Sequence, residues 1–410
     1  MPAPAASTTT TEITWRGRRY TARAIAGGAA FELYSDTHED GFRPSGRAFH
    51  RYVHASEVSS ARGEMLRAGV APVSAPMMPG ADFGAVHRYS QNPRIEAAER
   101  ALVAAVRATA LVTAGTRMVK PLSRHQAARQ LSASPLVNGI CFREFDVAHL
   151  RTPSDRTVLA GDPDNTDDAA YALRWRAIDA CDYVSTEAIN FPGLVGMPGR
   201  ERRGSMILGT GFLPSGSHLI PEFTTVDLAD LPLPVRAEIL AYGPDGSETV
   251  LFQYQPQTNA WNRVAGAKHR DLTGRIPGLE DGRALFRVDP PVHAGLTGEH
   301  EGKRKPVTAD PGHGFAAYVR GAVSRSPVTS AERFYTEARW REIDVLVLSR
   351  NEDWVRLRLK RPGLASVMAA GATCVERAVY ECWAPRAELE APRTVTVGYP
   401  LPGAGTRRWP

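Results

Sequence analysis

Four cysteines in 410 residues, Cys141, Cys181, Cys374 and Cys382, form no CxxC pair, so neither a zinc ribbon nor a disulfide framework is available to hold the chain together. They read as buried thiols. No apolar run is long enough to cross a bilayer. The best, "ALVAAVRATALVTA" from Ala101, is broken by Arg107 and falls short of the roughly 20 residues a spanning helix needs. The opening "MPAPAASTTTTE" has no basic segment and no apolar core, so no signal peptide is expected and the cytoplasm is the expected compartment. The chain also contains no Walker loop, no GxSxG elbow, no HExxH pair and no GxGxxG turn leading from a strand into a helix. The commonest nucleotide-binding, hydrolase and zinc-protease signatures are therefore absent.

The composition is that of a folded globular protein, with 43% hydrophobic and 23% charged residues and a mean hydropathy of −0.28. Its length exceeds what one core fills, so several domains are expected. Fifty Lys and Arg against forty-four Asp and Glu give a net charge of +6. The cations form no block and do not alternate with aromatics, so a nucleic-acid partner is not expected, whereas an anionic small molecule fits.

The two ends resemble each other. "WRGRRYTARAIAGGAAFELYSD" from Trp15 and "WREIDVLVLSRNEDWVRLRLKRPG" from Trp340 both open on Trp-Arg and alternate apolar with polar residues. Phe49 to Val58 aligns without gaps on Tyr380 to Leu389, pairing Tyr52 with Trp383, Glu57 with Glu388 and Val58 with Leu389. Each end reads as a small antiparallel β module, at residues 12–66 and 333–400, with turn signals between its strands. Between them, Asn92-Pro93 and the spacing of Ser123 and Gln126 mark two helix starts in a helical segment over 90–134. A strand-rich central domain is expected over 135–265, with one helix in "DDAAYALRWRAIDA" near 166–180. Residues 266–332, dense in Gly, Pro and charge, read as an irregular connection or lid. The expected fold class is α+β, mostly antiparallel strands, with a central split-sheet domain flanked by two similar small β modules.

Three polar residues stand on separate expected strands of the central domain: Arg143 in "ICFREF", Ser185 (followed by Thr186) in "YVSTE", and Glu238 in "VRAEIL". A guanidinium grips phosphate through a rigid fork, a hydroxyl fixes a neighbouring polar group, and a carboxylate stabilises a developing sugar cation. Their order resembles the arginine/serine/glutamate class of mono-ADP-ribosyltransferases. The resemblance implies NAD as substrate, Arg143 and Ser185 with Thr186 as its binding residues, and Phe191 on the nicotinamide side. It makes Glu238 the carboxylate at the nicotinamide–ribose bond, with catalysis shared by Arg143, Ser185 and Glu238.

Two departures accompany it. Glu187 stands where the family has a second Ser, and Arg236 stands where enzymes that modify side chains carry Glu or Gln. The residue that positions a protein acceptor is thus missing, which points away from protein modification and toward NAD hydrolysis, a non-protein acceptor or a disabled NAD fold. The alternative from another class is a non-enzymatic binding or assembly protein that uses the paired terminal modules as interaction surfaces. His293, His300 and His313, with Glu299 and Glu301, match no helical ligand spacing and read as isolated surface residues rather than a metal site.

Overall fold

A computed structural model of the chain describes residues 10–46, 48–60, 110–133, 135–153, 155, 159, 170–185, 212–215, 218–279, 282–290, 292–311, 313–318, 325–376 and 379–401. Every strand pairing among them is antiparallel. Helices are few and short, so the protein is mostly antiparallel β. The helix start expected at Asn92 lies outside the described residues.

The central sheet has nine strands in the order Tyr183–Ser185, Phe223–Thr225, Ile140–Arg143, Arg117–Leu122, Ala170–Arg176, Glu238–Tyr242, Glu248–Gln255, Ala260–Arg263 and Leu285–Arg287. It is covered on both sides. One face packs Met118, Leu173, Trp175 and Ile239 with Ala127 and Leu131 of the helix Arg124–Ser132. That helix begins as its sequence expects, because Gln126 N–H donates to Ser123 Oγ at 3.2 Å and Ser123 N–H to Gln126 Oε1 at 2.8 Å. The other face packs Val119, Phe142, Ala172 and Leu240 against Leu359, Val367 and Tyr380 from the C-terminal region.

Two-sided burial explains a correction. Residues 170–176, expected as part of a helix, are a strand whose first six residues are all buried. A strand covered on both faces loses the alternation that would distinguish it, and a short apolar run is then ambiguous between helix and strand.

Residues 266–332 are also not an irregular connection. They supply the strands Leu285–Arg287, Ala294–His300, Lys303–Asp310, Gly314–Tyr318 and Arg325–Pro327. Their glycines mark turns rather than slack. Glu301 (φ 53°) and Gly302 (φ 68°) form the two-residue link between His300 and Lys303, the left-handed geometry that tight hairpins require.

The terminal sheets share one topology. In the N-terminal sheet the order is Arg43–Ser45, Ala48–His54, Ala30–Ser35, Arg18–Ile25, Thr10–Trp15, Val58–Ser60. In the C-terminal region the strands Thr373–Glu376, Val379–Pro385, Trp354–Leu359, Ile343–Asn351, Ser330–Trp340 and Glu390–Gly398 lie in the same order and occur in the same succession along the chain.

Local chemistry matches as well. Trp15 and Trp340 are followed by left-handed pairs, Arg16-Gly17 (48°, 77°) and Arg341-Glu342 (48°, 64°). Trp15 Nε1 donates to Glu57 Oε2 at 3.2 Å and Trp340 Nε1 to Glu388 Oε2 at 2.8 Å, each acceptor closing a single 3-10 turn. Phe31, Leu33 and Val53 pack around Trp15 as Val355, Leu357 and Ala384 pack around Trp340.

Both sheets meet the central domain through their second face, and the C-terminal one also through Leu359 and Tyr380 of its first. In the N-terminal sheet that face carries Glu32, Tyr34, His50, Tyr52 and His54. Tyr52 receives the Arg151 guanidinium 5.4 Å from its ring, and His54 Nε2 lies 3.0 Å from the carbonyl of Phe145. In the C-terminal sheet Arg358 donates to the Leu228 carbonyl at 2.9 Å and to Asp230 at 2.6 Å. The last described strand is tied down by Tyr399, whose hydroxyl bonds both oxygens of buried Asp182 at 3.0 Å beside Arg333 Nε at 2.8 Å.

Leu33 and Leu357 are both fully buried at equivalent positions. Leu33→Ala and Leu357→Ala should each cost about 2–5 kcal/mol. Urea unfolding monitored by tryptophan fluorescence measures this, and a cost below about 1 kcal/mol at either site would show that sheet not to be cooperative with the rest.

Candidate functional site

The sheet register decides where the three expected site residues point. Met118 is paired with both Arg143 and Trp175, while Arg174 is paired with Val119 on one side and Glu238 on the other. Side chains opposite one another share a face, and neighbours along a strand take opposite faces. Arg143 therefore stands on the Met118 and Trp175 face and Glu238 on the Arg174 face. Three strand steps also separate their strands, about 14 Å. Ser185 sits on the first strand of the sheet, five steps or about 24 Å from the strand of Glu238. The expected convergence of Arg143, Ser185 and Glu238 on one cleft is thus corrected. Thr186 and Phe191 lie outside the described residues.

Arg143 is a packed structural cation, 3% exposed. Its Nε donates to Asp146 Oδ2 at 2.7 Å, its Nη2 to Oδ1 at 3.2 Å and its Nη1 to the Leu111 carbonyl at 2.9 Å. The Phe145 ring lies 4.5 Å beneath it. Ser185 ends its strand opposite Phe223, with its hydroxyl oxygen buried.

Glu238 opens into a cleft of about 670 Å³. Its walls carry Arg117, Arg174, Arg176 and Arg236, with Asp310 and His313 from the turn at the end of Lys303–Asp310. That turn is held in place by the Val235 N–H, which donates to the Ala309 carbonyl at 3.0 Å. Arg174 organises the wall. Its Nε and Nη2 grip Glu238 Oε2 at 2.9 and 2.7 Å, and its Nη1 reaches Glu144 and Glu248, both at 2.8 Å. Burial works against the Arg174 charge, but Glu248, Glu144 and Glu238 more than offset it and push its pKa up.

Arg117 shares Glu144, with Nε to Oε2 at 2.7 Å. Among the described residues, Arg176 Nη1 donates to the Gly115 carbonyl at 3.1 Å. Among the described residues Arg176 and Arg236 make no ion pair, and both are exposed. Arg236 is held at φ 60°, where a non-glycine residue is strained, and such strain concentrates at functional sites. Its N–H donates to the Tyr254 carbonyl, locking it at the entry to the Glu238 strand.

The sequence singles out Glu238 as a candidate and names Arg236 only as a departure from the family pattern, while Arg117, Arg174 and Arg176 are not among its candidates. The available signal was "RWR", Arg174 and Arg176 one residue apart as alternation requires, and it was hidden by reading that segment as helix. His300 is buried, not a surface residue, with Nδ1 3.0 Å from the Pro327 carbonyl, and His313 Nδ1 lies 3.2 Å from Asp310. Among the described residues no group of three or more His, Cys, Asp or Glu is placed to hold a metal ion. Likewise no described helix is long and apolar enough to cross a membrane.

Comparison with protein-family models, curated proteins and solved structures finds no match to this chain.

The displaced Arg143 pair has a pH signature. Burial pushes the Asp146 carboxyl up to about 6, with Arg143 pulling the other way. The folded value lies above the ordinary 3.8, so between about pH 4 and 6 the folded chain holds the proton more tightly than the unfolded chain. The contribution of this group to stability therefore falls as pH rises through that window. Asp146→Asn should flatten the fall by on the order of 1–3 kcal/mol, read from urea midpoints between pH 4 and 7. A variant with the wild-type slope would show that Asp146 is not the titrating group.

Proposed function

We propose that the protein binds a phosphate-bearing organic anion of nucleotide size in the Arg117–Arg174–Arg176–Arg236 cleft of its central sheet. One observation carries this reading: four guanidiniums, two of them without an ion pair among the described residues, line a single cleft of about 670 Å³. Arg176 and Arg236 supply forked donors matched to phosphate oxygens, and Arg117 and Arg174 add field behind them. The terminal sheets, docked through equivalent faces, act as buttresses of that cleft.

NAD is the first ligand of this class to test, because Glu238 stands in the same wall. With the phosphates on the arginines, a carboxylate at the ribose end would stabilise the positive charge that develops as the nicotinamide–ribose bond breaks. The phosphate-holding role passes from Arg143 to the arginines beside Glu238, and the reaction would end in hydrolysis or transfer to an acceptor other than one positioned by residue 236.

A second reading, a non-enzymatic binding or assembly protein, is favoured by the matched terminal sheets. The C-terminal one leaves Trp354 and Trp383 half exposed. In this reading the cleft ligand is bound and not cleaved.

Incubation with NAD, followed by chromatography for nicotinamide, separates the two. Cleavage predicts nicotinamide release that falls about 100-fold in Glu238→Gln with little change in NAD affinity. Arg236→Ala should weaken NAD binding about tenfold in either reading. Binding without release leaves the non-enzymatic reading, and failure to bind NAD, ADP or ATP by calorimetry overturns the cleft as a nucleotide site.

A further inference from the structure

A second polar cavity, of about 360 Å³, lies where the N-terminal sheet meets His149, Leu150, Thr152 and Asp155 of the central domain. Three arginines line it from separate strands and turns: Arg16, Arg43 and Arg51. The Arg16 and Arg51 guanidiniums both stand over the Trp15 ring, 4.5 and 4.8 Å from its centroid. Each is drawn to the ring and repelled by the other, an arrangement that an anion between them would relieve. Burial, then the Arg16 charge, push the Arg51 pKa down. Arg51 also donates to the Asp40 carbonyl at 3.0 Å, and a Cβ at Gly41 would collide with its guanidinium, so the bare backbone there keeps the group in place.

His50, 2% exposed, also borders the cavity, from the opposite face of its strand to Arg51. Its Nδ1 is 2.8 Å from Glu32, whose carboxyl lies at about 2: burial alone would raise it, but bonds from His50, Tyr34 and Arg23 outweigh that. His50 Nε2 has no partner among the described residues. The two acids of the cavity hold hydrogen bonds of their own, and their charges offset part of the repulsion at Arg51. Glu57 accepts from Trp15 Nε1 at 3.2 Å, and Asp155 accepts from the Thr152 N–H at 3.0 Å and hydroxyl at 2.6 Å.

The C-terminal sheet provides an internal control. Arg341 stands 4.7 Å from Trp340, repeating the first arginine. By strand register, however, the positions of Arg43, His50 and Arg51 are taken there by Thr373, Glu381 and Cys382. The shared topology therefore folds without these cations, and they are not a requirement of the sheet.

We propose that this N-terminal cavity is an oxyanion site that takes the phosphate group of a small phosphomonoester, gripped by Arg16, Arg43 and Arg51. It is separate from the central cleft and does not depend on that cleft's ligand.

The test titrates the full chain with inorganic phosphate, by calorimetry and 31P line width, in the wild type and four variants whose melting temperatures are compared with it. Arg16→Gln/Arg43→Gln and Arg51→Lys should each weaken one class of phosphate binding about tenfold or more. Arg341→Gln, the C-terminal counterpart, and Arg236→Ala, in the central cleft, should leave that class unchanged. Phosphate binding that Arg236→Ala abolishes and the Arg16/Arg43 variant leaves intact would overturn this site and leave the central cleft standing. The reverse pattern would keep this site and remove phosphate from the cleft. No binding of phosphate at all would overturn the proposal.

Discussion

Arg174 is the constraint on which the central domain turns. One guanidinium, mid-sheet and largely buried, is shared by Glu238 on the next strand, Glu248 on the strand beyond and Glu144 at a helix start. A buried cation of this kind is tolerable only while its partners surround it, and each partner is tolerable only while the cation is there. The cluster therefore fixes the lateral order of three strands and the position of the turn that follows Arg143. It also sets the polarity of the cleft, because Arg174 holds Glu238 in place through Oε2 and, among the described residues, Arg176 and Arg236 at the rim make no ion pair.

The two terminal sheets show how one topology carries two different surfaces. Both build a hydrophobic face around a tryptophan whose indole N–H is held by a glutamate in a 3-10 turn, and both turn the opposite face to the central domain. What differs is the polar chemistry of that second face. The N-terminal sheet centres it on the carboxylate of Glu32, the C-terminal sheet on the guanidinium of Arg358. Each second face is bonded to the central domain, at His54 and Phe145 in one sheet and at Arg358 and Leu228 in the other. Trp354 and Trp383 lie on the same face of their sheet as Arg358 and stay half exposed.

How much of this was legible depended on whether the signal was local. The Ser123–Gln126 cap was legible because both of its hydrogen bonds join residues three apart. The likeness of the two ends was legible because Trp-Arg turns and an ungapped ten-residue match survive without any knowledge of packing. The strand at 170–176 was not, since burial on both faces erased its alternation. Residues 266–332 were misread because Gly and Pro mark tight hairpin turns and loose connections alike. The site residues were misplaced for a related reason. Arg143 and Glu238 each lie on a strand as expected, but which face each one takes depends on a register set by partners more than 20 residues away.

By itself, the chain's order of residues determined the strand-rich character, the turns, one helix cap and the resemblance of its two ends, all of which follow from contacts between near neighbours or from periodicity along a single strand. Only the tertiary structure decided that Arg143 would be sealed against Asp146, that Arg174 would gather three carboxylates, and that Arg176, Arg236 and Glu238 would share one cleft. Those outcomes rest on strand order and register, where a shift of one residue sends a side chain to the opposite face of the sheet.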